Sequence, residues 1–317
     1  MLKALESVAT VLIMIGLGFG LAKRGWFGAG GSSLLSRLVV SVALPAYMIA
    51  NLMGGYDRAK LLSMLPGLPL PFAVMIGGYL IGRAVARIAG VKKGRRRTFA
   101  SMFALSNAIF IGLPVNMVLF GEVSLPYVLL YYIANTTCFW TIGVYGIAKD
   151  GAELCGREQP RLLSLESLRR ILSPPLVGFL AATAMILIGF RPPAFLLKLC
   201  GSIGAMTTPL SMLFVGLSLA QVDWKSLRPS RDMVLLLVGR FAVAPAILIA
   251  LALPTDLPLL MKKVFLILAA MPAMTQTPII AASYGADAEY AGVMTSITTV
   301  ASLAAIPAYM SFIGYIF

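Results

Sequence analysis

Uncharged apolar runs of about twenty residues, separated by short charged clusters, repeat along the whole chain. Ten can be drawn, at roughly 7–22, 38–56, 61–82, 98–121, 123–148, 171–190, 199–222, 233–255 (interrupted only by Arg240), 264–286 and 290–317. A helix needs about 20 residues to cross the hydrocarbon core, so the pattern predicts ten transmembrane helices. The alternating segments of a β-barrel are absent. The predicted class is an all-α integral membrane protein.

Two runs carry residues that plain spans avoid. The run 98–121 holds Asn107, Gly112, Pro114 and Asn116 near its middle, and 264–286 holds Pro272, Thr275, Gln276, Thr277 and Pro278. Proline removes a backbone donor and its ring clashes with the preceding turn. A kink or opening is therefore expected around 110–116 and again around 271–278. Backbone groups freed at that depth are costly unless protein, water or a ligand satisfies them. Two interrupted spans in corresponding halves are a pointer to a transporter's substrate site. The plainer alternative is a pair of kinks packed by neighbouring helices.

The polar segment 151–170 is expected to be a cytoplasmic connecting loop between 1–150 and 171–317, with five runs on each side. An odd number of spans forces a second copy to enter the membrane upside down. One offset carries Pro45 onto Pro209, Pro114 onto Pro278 and Gly121 onto Gly285. Three matches at a single offset support two inverted five-helix repeats.

Composition narrows the chemistry. Of 317 residues, 59% are hydrophobic and 12% charged, about half the charged share of a soluble domain. The absence of histidine excludes histidine catalysis, histidine-bound zinc and histidine proton relays. Cys138, Cys155 and Cys200 have no disulfide or metal spacing. No nucleophile–base pair can be assembled, so an enzyme, a catalytic metal and a bound cofactor are not expected. The net charge of +14 reads as cytoplasmic loops rather than a nucleic-acid surface. Lysine and arginine concentrate at 23–37, 83–97, 149–170 and 225–231, against Lys3, Arg58, Lys60, Arg191, Lys198, Lys262 and Lys263 opposite. The positive-inside rule then puts both termini on the non-cytoplasmic side of the cell's inner (cytoplasmic) membrane. With Lys23-Arg24 after it, the first run is expected to be a span and not a cleaved signal. The basic run Lys92–Arg97 reads first as a topology anchor, with anionic-lipid recognition as the alternative.

If the two interruptions cross at the midplane, their half-helix N-termini favour an anion and their C-terminal carbonyls a cation such as Na⁺. Asn107, Asn116, Thr275, Gln276 and Thr277 would add neutral donors and acceptors. Arg240 is an intramembrane charge and a candidate functional residue by default. It could meet an anionic substrate or a helix C-terminus, or bond internal carbonyls as structural glue. Tyr47 and Asn51 share one helix face after Pro45, placed to line the site if that face meets the crossing. Asn135, Thr136 and Thr137 are expected to bond between helices, and Gly16, Gly18 and Gly20 to form a close-packing surface. No acidic residue lies deep within a span, and Glu6, Glu122, Asp287 and Glu289 sit at span ends, which leaves uniport, exchange or Na⁺ coupling easier to place than H⁺ coupling.

Three stretches carry a family resemblance: 107–121 (NAIFIGLPVNMVLFG), 208–220 (TPLSMLFVGLSLA) and Arg240-Phe-x-x-x-Pro245. They resemble the fourth, seventh and eighth spans of the auxin efflux carrier family. The resemblance implies a bile-acid-transporter-like fold with broken, crossing helices 4 and 9. A scaffold domain (spans 1, 2, 6 and 7) would face a transport domain (spans 3–5 and 8–10) that moves as an elevator. It implies transport of small organic anions, auxin-like or malate/malonate-like, and a homodimer. The substrate asparagine would be Asn107 or Asn116, the crossover prolines Pro114 and Pro278, and the basic residue Arg240. Unlike the plant carriers, span 3 has no Asp/Lys pair, which favours a small carboxylate over auxin itself. The alternative is a membrane-embedded ligand sensor that keeps the fold without flux.

Overall fold

The computed structural model describes residues 2–28, 30–156, 174–221 and 230–316. Most of the expected connecting loop (157–170), with Arg157, Arg161, Arg169 and Arg170, lies outside the described residues, as do Lys225 and Arg228. In chain order the helices are α1 (Leu2–Lys23), α2 (Gly31–Leu38), α3 (Leu44–Gly55), α4 (Arg58–Met64), α5 (Pro69–Ile88) and α6 (Arg96–Ala104). There follow α7 (Leu113–Phe120), α8 (Leu125–Cys138), α9 (Val144–Cys155), α10 (Pro174–Ile188), α11 (Ala194–Gly204) and α12 (Thr207–Ala220). Last come α13 (Arg231–Val238), α14 (Ala244–Ala252), α15 (Leu259–Ala269), α16 (Thr277–Ser283) and α17 (Ala288–Ile316).

Five continuous helical stretches are long and apolar enough to cross a membrane: Leu34–Gly55, Arg58–Ile88, Ala194–Ala220, Arg231–Ala252 and Ala288–Gly314. Ile13–Lys23, Ala108–Phe120 and Pro174–Ile188 are shorter apolar helices. Large apolar side chains such as Leu80, Ile88, Ile188, Phe195 and Phe312 stand exposed on these helices. Such exposure is unfavourable in water and ordinary against lipid tails. The protein is an all-helical, multi-pass membrane protein.

Several prolines sit inside continuous helices, each after a π turn, and not at an opening. The π-helical turns Val39–Ala43, Ala108–Gly112 and Gly239–Val243 each end two residues before a proline, namely Pro45, Pro114 and Pro245. The wider turn makes room for the ring and for the carbonyl four residues back, which loses its donor. For Pro245 that carbonyl belongs to Phe241, and Tyr309 Oη donates to it at 2.6 Å. The opening expected at 110–116 therefore lies earlier in the chain. Helix α6 ends at Ala104, Leu105 is extended (φ −100°, ψ 130°), and one helix then runs Ala108–Phe120 through Gly112 and Pro114. The second opening falls where expected, after Ala269, with Pro272 inside it and Pro278 in the first turn of α16.

The chain divides into two compact units. Unit 1 comprises Met1–Gly67, Ile109–Leu130 and Ile171–Gln221. In it α1 packs along α12 by close backbone approach. A Cβ on Gly18 would stand 2.6 Å from the Leu213 carbonyl oxygen, and one on Gly216 would run into that of Ile15. Gly16 and Gly20 face open space, so only the middle glycine of that run is a contact. Helix α3 lies equally close to α10 and α11, its Pro45 Cα against Gly178 and its Tyr47 Cα against Gly204.

Unit 2 comprises Leu68–Ala108, Tyr131–Arg170 and Val222–Phe317. Here α6 packs on α5 and α9. Helix α9 continues to Cys155, beyond the apolar run that ends at 148, and so brings the fully buried Asp150 under the start of α6. The Asp150 carboxylate accepts from the N–H groups of Arg97 (2.8 Å) and Thr98 (2.7 Å), from Thr98 Oγ1 (3.0 Å) and from Arg97 Nη1 (3.1 Å). Burial pushes this carboxyl above the usual carboxylate range, and the four donors pull against that shift. An acid here satisfies the first N–H groups of α6 and complements its dipole.

Small-residue packing in unit 1 predicts a position-specific penalty. Gly216→Ala should destabilise the purified protein by about 1–3 kcal/mol through overpacking, read as a fall in Tm. Gly20→Ala should leave the Tm unchanged.

Candidate functional site

The two openings meet within unit 2. Ser106 and Ala273 form an isolated antiparallel bridge, and the Asn107 N–H donates to the Pro272 carbonyl at 2.8 Å. Around this crossing the freed main chain is answered by side chains. Asn135, fully buried in α8, grips Ser106 on both sides: its Oδ1 accepts from the Ser106 N–H (3.0 Å) and its Nδ2 donates to the Ser106 carbonyl (2.8 Å). Thr298 Oγ1, on α17, accepts from the Ala273 N–H at 3.1 Å. Asn135 thus makes the interhelical bond expected of it. Neither its target nor the part of Thr298 is visible in the sequence, where the only signal is a polar residue inside an apolar run.

Arg240 completes the crossing. It sits in the π turn Gly239–Val243 with 0% exposure, and Gly239 beside it has no Cβ to collide with the Phe103 ring. Its Nε donates to Met271 O (3.1 Å), Nη2 to Met271 O (2.8 Å) and Ala269 O (2.9 Å), and Nη1 to Phe103 O (3.0 Å). Phe103 is in the last turn of α6, and Ala269 ends α15. Each helix C-terminus carries roughly half a negative charge, so two of them approximately balance one guanidinium. The carbonyls suited to a cation already hold one.

The remaining candidates divide between the units. Asn107, Thr275, Gln276 and Thr277 belong to unit 2, where Asn107 and Thr277 are buried and Thr275 and Gln276 half-buried. Gln276 Oε1 is buried with no hydrogen-bond partner among the described residues. Tyr47, Asn51, Gly112, Pro114 and Asn116 belong to unit 1. There Asn116 Nδ2 donates to Gly112 O (2.7 Å), and Tyr47 Oη donates to Met117 Sδ (3.2 Å).

The family described as membrane transport protein matches residues 3–310 of the chain.

The chain belongs to that family, the one that includes the auxin efflux carriers.

An uncharacterised transporter of Methanothermobacter thermautotrophicus is 26% identical over 306 residues, covering 95% of this chain and 96% of that protein. An uncharacterised transporter of Methanocaldococcus jannaschii is 25% identical over 312 residues, covering 94% and 95%. The match spans both openings, Arg240, Asn135 and Thr298, so the crossing lies inside the family region and not in an appended segment.

Because its donors are spent on main chain, Arg240 should behave as a structural cation. Arg240→Ala strands three buried carbonyls and should cost about 3–5 kcal/mol, seen as loss of the monodisperse peak on size exclusion. Arg240→Lys keeps the charge without the planar fork and should fall between, with a lowered Tm. An unchanged Tm in Arg240→Lys would remove the structural role.

Proposed function

We propose that this membrane transporter carries small organic anions, carboxylates of malate, malonate or auxin-like kind, across the cytoplasmic membrane by alternating access. The substrate carboxylate is held at the unit 2 crossing by Asn107, Thr275, Gln276 and Thr277. The observation that carries this reading is the crossing itself. Non-helical backbone at membrane depth is tolerated only where it is buried in protein or lines a cavity, and carriers bind substrate at such breaks. Gln276 Oε1 is a buried acceptor with no partner among the described residues, suited to a coupling cation or a substrate hydroxyl, while its amide donor, Nε2, is the atom that would meet the carboxylate. Arg240 is assigned to holding the crossing, since its charge is already met by two helix ends. The remaining ligands are neutral, which favours Na⁺ over H⁺ as a coupling ion.

The finer architecture follows the same reading: ten spans in two inverted repeats, with unit 1 as scaffold and dimer contact and unit 2 as the moving body of an elevator. Several observations support it. Unit 1 contains α1–α3 and α10–α12, the helices of spans 1, 2, 6 and 7, together with α4 at the start of span 3 and 109–130 from spans 4 and 5. The interrupted pairs α6 with Ala108–Phe120, and α15 with α16, occupy the two runs singled out in the sequence. Gly121 and Gly285, related by the repeat offset, have φ of 73° and 71°, a backbone state that favours glycine. Both termini are assigned to the non-cytoplasmic side from the charge bias.

Uptake of labelled malonate and malate into proteoliposomes tests the site. Asn107→Ala and Gln276→Ala should each lower the rate by about tenfold, the loss of one to two hydrogen bonds to a charged group. Wild-type rates in both would overturn the assignment. Binding without flux would instead make the protein a sensor. In a thermal-shift screen, a carboxylate should raise the Tm of the wild type, more so with Na⁺ present than with choline.

A further inference from the structure

A charged cavity lies in unit 2, where α5, α6 and α9 meet, apart from the crossing. It has a volume of about 170 Å³ and is lined by Arg83, Arg87, Arg96, Arg97 and Glu153. That is below the ~300–1,000 Å³ that encloses a drug-sized ligand, and suits a single anionic group. Arg83 and Arg87 are one turn apart near the end of α5, on the same face, and both are exposed. Arg96 and Arg97 open α6, whose dipole adds positive potential.

Among the described residues the charges do not cancel. Arg97 Nη1 is paired with Asp150 (3.1 Å) and Glu153 (2.9 Å). Arg96 Nε donates to the neutral Val91 carbonyl at 2.7 Å. Arg83, Arg87 and Arg96 form no ion pair with a carboxylate among the described residues. Three guanidinium groups thus face one small cavity beside an acid already engaged by a fourth. Like charges held this close are unfavourable unless an anion joins them, and planar guanidinium forks match phosphate oxygens in pairs.

We infer that this cavity binds a single phosphate group, presented by an anionic phospholipid headgroup or as free phosphate, between Arg83 and Arg87 of α5 and Arg96 of α6. Bound there, the phosphate joins the end of α5 to the start of α6, the helix whose other end forms the crossing. The site is independent of the substrate reading.

The test is the Tm of purified protein in detergent with phosphatidylglycerol, phosphatidylcholine or inorganic phosphate, at constant ionic strength. Phosphatidylglycerol should raise the wild-type Tm by about 3 °C, the linkage expected when a ligand binds only the folded state. Arg83→Gln with Arg87→Gln should abolish most of that shift and, by relieving the repulsion, leave the lipid-free protein with a Tm no lower than that of the wild type. Should that variant prove unstable, Arg83→Lys with Arg87→Lys, which keeps charge and loses the fork, should retain about half the shift. Glu153→Gln should enlarge it. A shift with the lipid alone identifies a headgroup; a shift with inorganic phosphate as well identifies phosphate in general. An equal shift with phosphatidylcholine, or an undiminished one in the glutamine and lysine variants, would overturn the site.

Discussion

Main-chain carbonyls released inside a bilayer must be answered by the protein, and here the answer is a buried guanidinium. Arg240 joins the end of α6 to the end of α15 and the segment after it, with four donor contacts to three carbonyls. An arginine at this depth would be expensive without a counter-charge. Two helix C-termini supply it as partial charges fixed in the backbone, which need no reorganisation and cannot be protonated. That arrangement explains how a cation can sit fully buried at the crossing without an acidic partner.

Helix α6 is held by the same principle at both ends. Asp150 accepts from its first N–H groups, and Arg240 donates near its last turn, so each charge meets the dipole end of opposite sign. A helix of nine residues is too short to be stable alone; its position is set by these end contacts and by packing on α5 and α9. The non-helical residues that follow are therefore presented by a rigid support, and this is what a binding site needs if its few polar groups are to hold one geometry. Asn135 and Thr298 extend the support to the peptide groups of Ser106 and Ala273.

This economy bears on function. Most polar capacity at the crossing is consumed in holding the backbone open, and what remains is neutral and small. On the proposed reading, a carboxylate entering such a place would meet amides and hydroxyls able to bind it without a buried ion pair. The family's transport role and the neutral character of the site fit together on that ground.

Much of the architecture was legible in the chain itself: apolar runs of bilayer length announce a multi-pass helical protein, and the residues at 107–116 and 271–278 mark the two irregular spans. Local composition misplaced the first opening, because proline and glycine were read as breakers. Pro114 is instead absorbed by a wider turn, while the break at 105–107 falls on Leu-Ser-Asn, residues with no strong local reason to leave a helix. Only the tertiary structure decided that point, since the Ser106 peptide is stabilised by Asn135, 29 residues away, and the Asn107 N–H by the carbonyl of Pro272. The same holds for the carbonyl partners of Arg240, and for Asp150, whose donors at the start of α6 come into view only once α9 is seen to continue past the apolar run. Periodicity and length reveal which segments leave water. Which polar group answers which freed backbone atom depends on neighbours distant in the chain, and a hydrogen bond between them leaves no periodic trace.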